Sequence, residues 1–150
     1  MSYAALNDHP EWTAIVLKWI RDTWPERTAN QRIEDLEKRL CGDRLSGALP
    51  QAWVWTEEGK PVGLVSLTEH IQDGERGDWI DVLFVAEIWR NRGIASRLLA
   101  LAVGEAAKLG ISRLQVYTDQ VTLYERAGWR LMEPIREPGP VVMARAVLLP

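Results

Sequence analysis

The stretch that most restricts this chain is "WIDVLFVAEIWRNRGIASRLLALAVGEAAKLG", residues 79–110, where two periodicities meet without a linker. Residues 79–85 are rich in β-branched and aromatic residues, the composition of a strand. From Gly93 onward Ile94, Leu98, Leu101, Ala102 and Glu105 follow one helical face, with Leu99, Val103 and Ala106 beside it. Lys108, Leu109 and Gly110 supply a basic last turn and a glycine stop. Between the two patterns stand Arg90, Asn91, Arg92 and Gly93, which fit neither.

A strand followed at once by a helix leaves unsatisfied N–H groups at the helix N-terminus, and the helix dipole adds positive potential there. Such a turn suits phosphate. Gly93 has no Cβ to keep a ligand away, Ala95 is the next smallest choice, and Arg90 and Arg92 offer charge-assisted hydrogen bonds. The formal net charge of −3 provides no overall footprint for DNA or RNA, so a bound polyanion needs a local device of this kind. Neither Gly-Lys-Ser/Thr nor G-x-G-x-x-G occurs here. The physics alone therefore points to phosphate or pyrophosphate, with a solvated basic helix start as the alternative.

The remainder reads as one domain, residues 1–150, without repeats or a dividing linker. A short strand is expected at residues 3–6. A helix follows with Trp12, Ile15, Val16, Trp19 and Ile20 on one face, Pro10 in its first turn and Pro25 at its end. A second helix in "TANQRIEDLEKRLCG" carries Ile33, Leu36 and Leu40, with Gly42 as its stop. Residues 52–56 and 61–71 form a hairpin about Glu58, Gly59 and Lys60, and "DGERGD" is a loop. Beyond the long helix come a strand at 113–118, a short helix in "QVTLYERAGW" closed by Gly128, and two strands, "WRLMEPI" and residues 141–149, around "REPGP". The fold class is mixed α/β (α+β): a central mixed, mostly antiparallel twisted sheet of six to seven strands flanked by about four helices.

Cys41 is the single cysteine, which excludes an intrachain disulfide and a thiolate zinc cluster, and the histidines form no metal pair; no metal is expected. The longest apolar run near the start, residues 14–17, is too short for a signal segment or a membrane span, so a cytoplasmic location is expected. Most of the eight tryptophans are read as packing residues, though several in the first third suit a pocket wall.

"RNRGIA" fits the R/Q-x-x-G-x-G/A signature of the GNAT superfamily of N-acetyltransferases, through Arg90, Gly93 and Ala95. The chain resembles that family over its whole length, most clearly from residue 82 to Trp129. The resemblance implies acetyl-CoA as co-substrate, with its pyrophosphate in the turn of Arg90, Asn91, Arg92, Gly93, Ile94, Ala95 and Ser96. It implies that backbone groups of Leu83, Phe84 and Val85 bind the pantetheine arm, and that this strand splays from the next near residues 115–117. Leu83 N–H is the candidate oxyanion donor. Tyr124, four residues before Gly128 and Trp129, takes the position of the acid that protonates the leaving thiolate. Asp119 stands where many relatives bind pantetheine with asparagine, and Gln115 where some carry a glutamate base.

With no glutamate at 115, the candidate bases are Asp81, Glu69 and His70. Two-residue alternation would place Asp81 on one face with Trp79, Leu83 and Val85. The acceptor, a small-molecule amine or a protein amino group, would be selected by the first two helices and the loop at residues 72–78. Asp22, Trp24 and Glu26 would form an acidic, aromatic-edged entrance. No nucleic acid or membrane partner is expected, and the apolar last strand suits pairing in a homodimer. The other class of function compatible with these residues is a CoA-binding sensor or interaction module without catalysis.

Overall fold

The computed structural model describes residues 2–41, 49–72, 74–132 and 139–148. Seven strands form one sheet in the order β1-β2-β3-β4-β5-β7-β6. They are β1 (Ser2–Ala5), β2 (Gln51–Glu57), β3 (Lys60–Gln72), β4 (Glu75–Val85), β5 (Arg113–Thr118), β6 (Arg130–Leu131) and β7 (Val141–Ala146). The helices are α1 (Thr13–Thr23), α2 (Pro25–Thr28), α3 (Ile33–Leu40), α4 (Ile94–Lys108) and α5 (Val121–Arg126). Every pairing is antiparallel except that of β4 with β5.

Each face of the sheet carries its own core. On one, Leu98, Leu99 and Ala102 of α4 pack with Val65, Leu67, Ile80, Leu114 and Met143. On the other, Val16 and Ile20 of α1 and Leu36 and Leu40 of α3 cover Val54, Leu64 and Val82. The helical stripes read from the sequence thus close a two-sided sheet, except that Ile15 and Ile33, expected on those stripes, stay exposed. Leu98 is fully buried and lies close beside Gly63 of β3. Leu98→Ala is expected to lower unfolding stability by about 2–5 kcal/mol, to be read from urea midpoints at unchanged slope. A midpoint within experimental error of the parent would show that α4 is not held by this contact.

Three expectations change. Pro25 ends α1 but also begins α2, because its fixed φ suits a first helical position; the next helix starts only at Ile33. The segment "DGERGD" is mostly strand: β4 begins at Glu75 and pairs Gln72↔Glu75, Ile71↔Arg76, His70↔Gly77 and Glu69↔Asp78. A continuous ladder with β3 overrides the weak strand propensity of Gly, Glu and Asp there. The last strand, ending at Ala146, lies between β5 and β6, so it is not a free edge along its whole length. The expected Gly42 stop, much of the "WRLMEPI" strand and most of the "REPGP" turn lie outside the described residues. Among the described residues no helix is long and apolar enough to cross a membrane.

Candidate active site

The site begins where two neighbouring strands part. β4 and β5 pair only at Trp79↔Gln115, and past that point a cleft of about 740 Å³ opens between residues 80–85 and residues 116–119. At the pairing position the Gln115 amide lies hard against β4, where a Cβ on Gly77 would stand 2.6 Å from its Oε1. Glycine is what allows the two strands to meet there.

The direction of the β4 amides follows from its hydrogen bonds to β3. Ala86 donates to Val62 O at 2.8 Å, and Val82 donates to Ser66 Oγ at 3.0 Å. By alternation the amides of Leu83 and Val85 face the opening. Phe84 also borders the cleft, with its amide directed to β3 and its ring stacked on Trp19 with centroids 5.0 Å apart. The Val85 carbonyl accepts a hydrogen bond from Arg90 Nε at 2.8 Å.

The turn before α4 closes one end of this cleft. Asn91 and Gly93 both have left-handed backbones, with φ of 63° and 82°. A Cβ on Gly93 would meet no protein atom within 4 Å, so backbone conformation and not internal crowding calls for glycine. No side chain caps α4. Arg90, Asn91, Gly93, Ile94, Ala95 and Ser96 all line the cleft. Arg92 departs from its expected place: its guanidinium lies over the Trp89 ring, 4.9 Å from the centroid. Asp119 reaches the cleft from the end of β5, exposed and accepting from Gln120 Nε2 at 3.3 Å.

Tyr124 enters from α5. Its ring is buried edge-on against Trp129, with centroids 5.2 Å apart. The residue borders the cleft, and its hydroxyl has no hydrogen-bond partner among the described residues. Burial pushes the phenol well above its ordinary value, since a buried phenolate would lose its hydration.

A second cleft, of about 530 Å³, meets the first at Arg27, Ile80, Asp81 and Tyr117. Here strict alternation fails. The β3–β4 register shifts between Ser66, opposite Val82, and Leu67, opposite Ile80, leaving Asp81 as the extra residue of a bulge. Asp81 therefore keeps the face of Trp79, with which it borders the second cleft, but does not share it with Leu83 and Val85, which pack on the α4 side. Its carboxylate meets Arg39 of α3 instead, with Nη2 at 2.9 Å from Oδ1 and 3.1 Å from Oδ2. Glu69 borders the same cleft, paired with Arg76 and opposite Asp78. The Asp78 carboxyl is pushed up, first by burial and then by the charge of Glu69, against the opposing pull of Arg76. His70 stands edge-on to Trp79 at 5.8 Å.

The expected acidic entrance is not formed. Asp22 pairs with Lys18 at 2.6 Å on the surface, and Thr23, Trp24 and Arg27 face the first cleft in place of Glu26. Arg27 and Arg39 are the two functional candidates that reading the sequence missed. Arg39 sits on a charged helix face with nothing local to mark it, and its partner is 42 positions away.

Comparison with known proteins fits this geometry. Residues 13–129 match the family model described as Acetyltransferase (GNAT) family. A search of curated proteins returned no match. Among solved structures, the aminoglycoside 6'-N-acetyltransferase from Enterococcus faecium is similar with a TM-score of 0.77 at 17% identity, over 99% of this chain and 98% of that one. An aminoglycoside 6'-N-acetyltransferase complexed with coenzyme A gives a TM-score of 0.77 at 16% identity, covering 99% and 98%. Tetrahymena GCN5 gives 0.64 at 18% identity, covering 99% and 97%. At these identities the likeness is one of fold.

Proposed function

The chain belongs to the GNAT acetyltransferase family, and from that premise we propose that it moves the acetyl group of acetyl-CoA to a primary amine by direct attack in a ternary complex. The observation that carries this reading is the parting of β4 from β5 between an uncapped helix N-terminus and a buried tyrosine. The pyrophosphate lies on the N–H groups of α4 beside Gly93, where fixed dipoles and the Arg90 charge offset its own. The pantetheine arm runs along β4, taking hydrogen bonds from the amides that face the opening.

The acceptor enters through the second cleft and its nitrogen attacks the thioester carbonyl where the two clefts meet. Leu83 N–H donates to the oxygen as it gains charge. The C–S bond then breaks, and Tyr124, which burial keeps protonated, gives its proton to the departing thiolate and takes one back from water in the open cleft. The proton lost by the amine leaves through the second cleft, where Asp81 and Glu69 are the acceptors held in place by Arg39 and Arg76.

Calorimetric titration with acetyl-CoA, with ATP and NAD as controls, tests the premise. One saturable site for acetyl-CoA and none for the controls is the expected result. A folded protein that ignores acetyl-CoA would leave only the fold standing. A CoA-binding module without chemistry is the second reading, favoured by one observation: both oxygens of Asp81 are already engaged by Arg39. Release of free thiol from acetyl-CoA in the presence of an amine panel separates the two.

A further inference from the structure

The charges bordering the second cleft are largely neutralised in place. Asp81 is held by Arg39 and Glu69 by Arg76. Asp78, across the strands from Glu69, adds to the acidic group at the far end, where β3 and β4 are paired. Arg27 is different. It is exposed, and its guanidinium has no hydrogen-bond, ion-pair or ring partner among the described residues. It borders both clefts, in company with Asp81 and Tyr117, so it stands at the point where acceptor and thioester would meet.

Its placement is built from the backbone outward. Pro25 starts α2, and the buried Thr28 donates its hydroxyl to Trp24 O at 2.9 Å. Gln31 Nε2 donates to the Arg27 carbonyl at 3.0 Å. The main chain that carries the guanidinium is thus tied down on both sides while the side chain is left unpaired. A planar guanidinium takes a carboxylate in two parallel hydrogen bonds. A polycationic acceptor would instead bring like charge against it.

We infer that the acceptor is an amine carrying a carboxylate within two or three bonds of the reacting nitrogen, an α- or β-amino acid, and that Arg27 holds this carboxylate. The inference rests on the acetyltransferase reading above and names the substrate class of that same site. The carboxylate lies on Arg27 at the junction of the clefts, which brings the adjacent amine to the thioester. The rest of the acceptor extends along the second cleft toward Trp79 and His70. The guanidinium has a further effect there: a cation near the amine disfavours the ammonium form, and only the neutral amine attacks.

The test uses matched pairs that differ by the carboxylate: phenylalanine and phenethylamine, lysine and cadaverine, leucine and isoamylamine, β-alanine and ethylamine. Thiol release from acetyl-CoA gives kcat/KM for each, and calorimetry gives affinity with and without CoA. The carboxylate-bearing member is expected to be preferred by roughly 10–100-fold in at least one pair, the size of a charge-assisted hydrogen bond. Arg27→Gln should bring that ratio to near one, and Arg27→Lys should restore part of it. Equal or reversed preference in every pair overturns the inference, as does a ratio untouched by Arg27→Gln. Silence from both members of every pair, in turnover and in binding, overturns it too. Failure of the broader reading looks different: acetyl-CoA itself does not bind, while amino-acid binding without CoA still decides the role of Arg27.

Discussion

Gly93→Glu is expected to weaken acetyl-CoA binding by at least about 100-fold, the combined effect of a like charge set against phosphate and the loss of a close backbone approach. The protein itself has little reason to object. The position is open, with no protein atom within 4 Å of an added Cβ, so the cost to folding is that of a non-glycine residue at a φ of 82°, about 1–2 kcal/mol. A drop of that size in unfolding stability together with an intact circular dichroism spectrum would show that the loss of binding is local. Gly93→Asn is the companion variant, because asparagine tolerates the left-handed region and adds no charge. It should fold more like the parent and bind with intermediate affinity. If Gly93→Glu binds acetyl-CoA as the parent does, the pyrophosphate does not lie on this turn and the premise of the cofactor site fails.

That this turn could be read in advance follows from how local its chemistry is. The change of period, the small residues at 93 and 95 and the uncapped N-terminus all lie within a few positions, and the left-handed Gly93 follows from them. The order of strands and helices was legible for the same reason, since each stripe depends on residues three or four positions apart. Asp81 was not. Its direction depends on a one-residue shift against Ser66, a buried serine whose hydroxyl repairs the interrupted ladder from 16 positions away. Its partner Arg39 belongs to a helix face whose charges look solvated in the sequence. Arg27 was hidden behind Pro25, which reads as the end of one helix and in the fold also begins another. Arg92 shows the converse: a basic residue at a turn whose sequence suits an anion has an alternative partner in a neighbouring indole, and only the folded chain decides between them.

Tyr124→Phe is expected to lower kcat by roughly 100–1,000-fold, within the range of general acid catalysis, and to leave the affinity for CoA near that of the parent. Removing the hydroxyl deletes a proton donor while keeping the ring on Trp129. Because that hydroxyl has no partner among the described residues, its loss leaves no buried group unpaired, and the thermal midpoint should not fall. The pH profile makes the assignment sharper. Burial disfavours the phenolate, so the proton stays on Tyr124 through neutral and mildly alkaline solution. The parent should therefore keep its acid as pH rises toward the ordinary tyrosine range, and activity should rise there as the acceptor amine loses its proton. In Tyr124→Phe the thiolate must leave unprotonated or take its proton from water. The penalty should then shrink for an acyl donor whose thiol is more acidic than that of CoA, since such a thiolate needs less help to depart. A variant with parental kcat, or with the same deficit for both donors, would assign Tyr124 to packing alone and give the leaving-group proton to solvent.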